Sequence, residues 1–464
     1  MPTRRAARAF CQPANDVLLY LPQYDAYQRP GKVLLQHFDG IEHGFKGLPV
    51  EATSELLLKQ GFGYDFISDK QVQQVQAVGA GLRTSGGAQY RTILVPNART
   101  MPLETWQHLV QLAQAGAPVL VQGARPTGVP GLGDLARRQA AFQRLVVQLP
   151  FKPVPGGQRA AWGKGAVLLG PDVAQLLAQA GVRREVLVDQ GLRCERRRTA
   201  GGYTYFLVNW GEQPVQAWVP LATAARSANL YDPMTGQLVV AAVRQSAQGP
   251  AEVYVQLTPG GSCLIDTQEA AAPATGAAYA YYRPAGAAQP VAGPWAVRFV
   301  AGGPTLPAPL QAPQLDSWTQ LAGEAGQKFA GTALYSTTFA APGGPAAGYL
   351  LDLGRVGQSA RVQLNGRELG TLIGPAYQLY VPASQLQARN DLRISVSNGM
   401  ANRVAAMDRA GQEWKTFYNV NMAAKRQENR GADGLFTAAH WPPVAAGLLG
   451  PVTLTPVAVG GPPL

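Results

Sequence analysis

Residues 16–21, Asp16-Val17-Leu18-Leu19-Tyr20-Leu21, form an apolar run stopped by Pro22. A strand with one wet face alternates apolar and polar residues. A run without a polar face reads as a strand covered on both sides, as in a parallel sheet packed between helices. The surrounding chain repeats the matching units. Residues 51–60, EATSELLLKQ, carry the helical period and stop at Gly61. Gly63 to Ser68, GYDFIS, is a second strand, and 69–78 reads as a second helix. Tyr90 to Pro96, YRTILVP, is a third strand, and the helix from Pro102 to Ala115 starts on proline and stops at Gly116, the asymmetry helices favour. Val119-Leu120-Val121, running towards Gly123, is a fourth strand. Short strands alternating with helices predict a flavodoxin-like α/β domain over 1–155.

Beyond that point the period changes. GYTYFLVNW (202–210), VQAWVPL (215–221), ANLYDPMTGQLV (228–239) and EVYVQL (252–257) are strands with turn signals between them, and one helix, 173–180, comes before them. They predict a small antiparallel β-sandwich over 156–267. Residues 268–293, rich in Ala, Gly and Pro, read as a linker. Over 294–464, WAVRFV (295–300), GTALYSTTF (331–339), GYLLDLG (348–354), ARVQLNGRELG (360–370) and DLRISVSN (391–398) are strands, and Asn365-Gly366 is a two-residue hairpin signal. This segment predicts a jelly-roll β-sandwich. The expected architecture is therefore multidomain, α/β plus all-β.

Composition agrees with several packed cores. The 464 residues suggest about three domains, and 46% hydrophobic against 15% charged residues excludes a disordered chain. The net charge of +12 raises the question of nucleic acid. Its densest cluster, Arg193, Arg196, Arg197 and Arg198, runs into a Gly201-Gly202 turn and an apolar strand, with no nucleic-acid-binding motif around it. The expectation is solvated surface and no nucleic-acid partner; an acidic polysaccharide would also suit the charge. Cys11, Cys194 and Cys263 are widely spaced and match neither a disulfide framework nor a metal-ligand pattern. Residues 1–15 hold no apolar run of secretory length, and no stretch reaches transmembrane length, so neither an export signal nor a membrane partner is expected.

Two groups of residues carry a family resemblance. Leu351 to Val356 (LDLGRV), Ala360 to Gly366 (ARVQLNG), Leu369-Gly370, Phe329 to Tyr335, Trp318 and Gly447 to Val452 (GLLGPV) resemble the galactose-binding-like jelly roll attached to many glycoside hydrolases. Asp16 to Pro22, Gly63 to Asp69, Tyr90 to Pro96 and the Pro102 helix resemble glycoside hydrolase family 106, the α-L-rhamnosidases, and the order of modules agrees. The resemblance implies hydrolysis of terminal α-L-rhamnosyl bonds by a parent enzyme, with a rhamnosylated glycan as partner and a periplasmic or extracellular location. It places the catalytic carboxylates, and a calcium site, on a (β/α)8 barrel preceding the DVLLY-like strand. No catalytic residue, metal ligand or cofactor is thus carried onto this chain, which is expected to be a truncated, accessory portion served by a barrel in cis or in trans. The alternatives are a stand-alone carbohydrate-binding or scaffold protein, or the tail of a β-galactosidase-like glycosidase.

The residues themselves offer few catalytic constellations. Glycoside hydrolysis needs two carboxyl groups across the scissile bond. Asp65 and Asp69 flank a strand end where α/β domains bind ligands, but read as a turn partner and a helix cap. His37, Asp39, Glu42 and His43 (HFDGIEH, 37–43) match no zinc motif. The tract 398–441 is richer. It holds Asn402, Arg403, Trp414, Tyr418, Asn419, Asn421, Arg430 and Trp441, the pairing of aromatic faces with amides and guanidinium groups that sugars require. These are the candidate carbohydrate-binding residues. The competing reading is that the rings plug the end of the sandwich while the polar groups tie the loop.

Overall fold

The computed structural model describes residues 12–28, 44–245, 250–270, 276–417 and 423–462. Its first sheet has seven strands in the order Tyr64–Ile67, Val17–Tyr20, Thr92–Val95, Pro118–Gln122, Gly165–Gly170, Gly157–Trp162 and Lys152–Val154. The first five pair in parallel and the last two add antiparallel. The decisive run behaves as a strand buried on both faces. Leu18 and Tyr20 join Trp106, Leu109, Phe142 and Val146 from helices Leu103–Ala115 and Leu135–Val147. Val17 and Leu19 join Val50, Leu57, Val173 and Leu177 from helices Pro49–Gln60 and Val173–Gln179 on the other face. Each such side chain contributes about 1.5–3 kcal/mol by leaving water.

Three expectations need correction. The helix read over 69–78 ends at Val72, and Gln76–Val78 instead pairs antiparallel with Gly81–Arg83. Gly79, at φ 59°, makes the tight turn between them and removes the helical option. The boundary at 155 falls inside the first sheet, because Gly165–Gly170 lies parallel to Pro118–Gln122. The linker span 268–293 contains Tyr281–Pro284 and Gln289–Pro290, both paired with Thr453–Gly460.

The chain divides into two compact units, one of residues 1–231, 238–257 and 262–278, the other of 232–237, 258–261 and 279–464. The first unit contains, besides the α/β sheet, a six-stranded antiparallel sheet and two three-stranded ones. On the six-stranded sheet Cys194 and Cys263 both lie opposite Leu207, on the strands flanking it. Two strand spacings, about 9–10 Å, are too far for a disulfide, and burial pushes the Cys194 thiol up to about 12. Cys11 lies outside the described residues.

In the second unit a six-stranded and a five-stranded sheet share one core, built from Trp295, Val297, Phe299 and Tyr335 of the first and Tyr349, Leu351, Val381 and Leu454 of the second. Asn365 (φ 52°) and Gly366 (φ 78°) form the two-residue turn that joins Ser359–Leu364 to Arg367–Ile373. Among the described residues the architecture is multidomain and mostly β, and none of its sheets closes into a barrel.

Candidate functional site

The tract following strand Arg389–Ser397 forms helix Ala401–Arg409 and two short 3-10 turns, Ala423–Lys425 and Gln427–Asn429. Ala405, Ala424, Phe436 and Ala438 make a small core of its own, against which Trp414 and Trp441 pack. Trp441 meets Phe436 edge-on with ring centres 5.9 Å apart.

Its polar centre is Asp408, near the end of the helix. One carboxylate oxygen accepts from Trp414 Nε1 and Lys415 Nζ, each at 2.7 Å, and the other from the Ala438 backbone N–H at 2.7 Å. Burial alone would raise this carboxyl, but the hydrogen bonds from Lys415, Ala438 and Trp414 outweigh it and hold it below the usual carboxylate range. Asn402 is buried and spends both ends of its amide on Val444, donating to its carbonyl at 2.8 Å and accepting from its N–H at 2.7 Å. Trp441 Nε1 donates to Asn429 Oδ1 at 2.7 Å, and Arg430 Nε donates to the Ala424 carbonyl at 3.0 Å.

The structure thus brings Asn402, Arg403, Trp414, Arg430 and Trp441 into one tract but gives them different duties. Asn402 is an anchor, which corrects its reading as a sugar contact. Trp414 and Trp441 are half-buried, with their N–H groups used internally. Arg430 is exposed, and Arg403 is half-exposed and makes no ion pair among the described residues. Tyr418, Asn419 and Asn421 lie outside the described residues. Asp408, Asn429 and Phe436 were missed; the i,i+6 spacing of Asp408 and Trp414 across a helix end gives no motif to search for.

Three aspartates of the α/β region are committed to the fold. Asp65 accepts from Asn15 Nδ2 at 2.9 Å and Tyr90 OH at 2.8 Å. Asp69 accepts from Tyr20 OH at 2.8 Å and Thr105 Oγ1 at 2.7 Å, and burial raises its carboxyl. Ser68, not Asp69, caps the following helix, in a capping box with Gln71. Asp25 accepts the backbone N–H groups of Arg99 and Thr100 at 2.7 and 2.8 Å. The cluster His37, Asp39, Glu42 and His43 lies outside the described residues. Among the described residues no group of three or more His, Cys, Asp or Glu side chains is placed to hold a metal ion. No helix of the described residues is long and apolar enough to cross a membrane.

The arginine cluster also separates. Arg196, read as solvated surface, has a side chain only 12% exposed and bridges two carboxylates, Asp16 at 2.7 Å and Glu185 at 2.8 Å. Strand alternation turns it inward with Leu192 and Cys194, while Arg193 and Arg197 face out.

Comparison with known proteins places these observations. Residues 48–244 match the family model described as alpha-L-rhamnosidase, glycoside hydrolase family 106. The rhamnosidase from Novosphingobium sp. PP1Y superposes with a TM-score of 0.66 at 24% identity, over 95% of this chain and 39% of that one. The fold is therefore shared, and the chain spans well under half the length of that enzyme. A β-galactosidase from Bacillus circulans sp. alkalophilus matches at a TM-score of 0.34 and 11% identity, over 56% of this chain and 42% of that one, too slight a likeness to bear on the fold. No curated protein sequence matches the chain.

Proposed function

We propose that this chain, which resembles the α-L-rhamnosidases of glycoside hydrolase family 106, is the accessory, non-catalytic part of a glycoside hydrolase. The parent reaction is hydrolysis of terminal α-L-rhamnosyl bonds, with the catalytic (β/α)8 barrel supplied in cis or in trans. The observation that carries the reading is the state of the carboxylates. Asp25 and Asp69, which follow the carboxyl ends of Val17–Tyr20 and Tyr64–Ile67 where an α/β domain would work, are each bound by two internal donors, and so is Asp65 near the amino end of Tyr64–Ile67. Hydrolysis of a glycoside needs one carboxyl free to give a proton and another free to attack or activate water.

The finer architecture follows the same reading. The parallel order of the first five strands, with the second strand outside the first, supports a flavodoxin-like domain. Two antiparallel sheets on one core support a jelly roll. In this reading the 398–441 tract meets glycan through Arg403, Arg430 and the open faces of Trp414 and Trp441.

Turnover of an aryl α-L-rhamnoside by the purified chain is the test. None is expected, and turnover that follows the chain through purification overturns the non-catalytic reading. Calorimetric titration with L-rhamnose and a rhamnosylated oligosaccharide checks the tract: Arg403→Gln, which unties nothing among the described residues, is expected to weaken binding. Unchanged binding removes Arg403 from the contact surface.

A further inference from the structure

The second unit holds a polar pocket away from the 398–441 tract. It is an open depression of about 310 Å³ lined by Thr338, Asn365, Gln387, Arg389, Asn390 and Asp391. That volume sits at the small end of ligand sites, which run from about 300 to 1,000 Å³. Such sites are usually mostly apolar, whereas every residue lining this one is polar.

Behind the pocket the backbone is fixed by side-chain hydrogen bonds. Asn390, fully buried, accepts from Asn365 Nδ2 at 2.9 Å and the Gln387 N–H at 2.9 Å, and donates to the Gln387 carbonyl at 2.8 Å. Asn365, held left-handed by the hairpin turn, also donates to the Gln385 carbonyl and accepts from the Asp391 N–H. The hairpin and the start of strand Arg389–Ser397 are thereby locked together.

The outward face of the same strand carries groups with capacity to spare. Arg389 and Asp391, two apart on one strand, share a face, and Thr338 lies opposite Asp391 on the next strand. Arg389 donates to Thr338 Oγ1 at 3.2 Å, leaving its other guanidinium N–H groups open. Asp391 pairs with Arg393 through one oxygen at 2.9 Å, and its second oxygen has no partner among the described residues. Gln387 adds an exposed side-chain amide.

We propose that this pocket binds one sugar ring, the terminal unit of a glycan. A guanidinium, a carboxylate and an amide within one ring's reach donate to and accept from neighbouring hydroxyls. The proposal rests on the reading of the chain as a carbohydrate-active accessory part, and adds a location and a ligand class.

The experiment is saturation-transfer NMR and calorimetry of the full chain with methyl α-L-rhamnoside, D-galactose and D-galacturonate, against Arg389→Ala, Asp391→Asn and Arg403→Gln. Loss of a hydrogen bond to a charged group predicts at least about a tenfold weaker Kd for one or more of the sugars in the first two variants. Arg389 is exposed, so thermal unfolding of Arg389→Ala should match the parent chain and shows that a loss of binding is local. Equal binding by both pocket variants overturns the proposal, as does failure of all three sugars to bind. Binding that is lost only in Arg403→Gln also overturns it, while leaving the accessory reading intact. Rhamnoside turnover by the chain would strike that reading and not the pocket.

Discussion

Replacing Arg196 by methionine removes the cation between two carboxylates while keeping most of the side-chain volume. Glu185 is the carboxylate that suffers: its side chain is 6% exposed, against 24% for Asp16, which water can reach. Glu185 would retain the Ala222 N–H at 2.8 Å and Tyr205 OH at 3.0 Å, but no opposite charge. Removing one partner of a buried ion pair costs about 3–5 kcal/mol, most of it the charge left behind. The pH dependence has a definite sign. Burial already raises the Glu185 carboxyl, against the pull of Arg196, so losing Arg196 raises it further. A carboxyl raised on folding gives stability that is complete below its unfolded value, about 4.3 for Glu, and is lost as pH rises through the folded value. The penalty of Arg196→Met is therefore largest near neutral pH and shrinks as pH falls towards that value. Adding Glu185→Gln removes the stranded charge and should recover most of the loss. Urea unfolding of the three chains at pH 7 and pH 5, followed by tryptophan fluorescence, measures this. A loss under about 1 kcal/mol at pH 7, an equal loss at both pH values, or a double variant weaker than the single one would refute the reasoning.

Two further outcomes follow from the second unit. Asp408→Ala unties Trp414, Lys415 and the Ala438 N–H together and should cost about 1–3 kcal/mol, read as faster hydrogen exchange confined to 401–441. In the parent chain that protection should hold above about pH 4, the unfolded Asp value, and fade as pH falls through the lower folded one, the sign for a carboxyl depressed on folding. Gly447 sits at φ 101°, and a Cβ there would collide with Tyr335 Oη and the Trp318 ring. Gly447→Ala should lower stability by about 1–3 kcal/mol, seen as a reduced Tm, and an unchanged Tm would show that the backbone yields there at no cost.

How much could be read without coordinates depends on whether a residue's fate is set by its neighbours in sequence or across space. The 16–21 run announced a strand buried on both faces because both of its side-chain rows are apolar, and each row found its own core. The Asn365-Gly366 turn was legible because its two left-handed residues favour that turn locally. The strand Gly165–Gly170 was not legible as part of the first sheet, since partner and direction come from tertiary pairing with Pro118–Gln122. The 398–441 tract was half legible: rings and amides were visible in sequence, but Asp408, which decides which of them are already used, was not.

The arginine cluster shows where a local rule was available and went unused. Counted by composition, Arg193, Arg196, Arg197 and Arg198 are a basic patch. Taken by strand alternation, Arg196 shares a face with Leu192 and Cys194 and points inward, while Arg198 at the open end of the same row stays exposed. An inward arginine cannot lose its proton, so it demands carboxylates. The shared face follows from the order of residues alone. Which carboxylates answer does not: Asp16 lies 180 positions away and Glu185 lies 11 away, and only the pairing of Gln12–Pro13 with Leu192–Arg198 brings the Asp16 segment to the guanidinium.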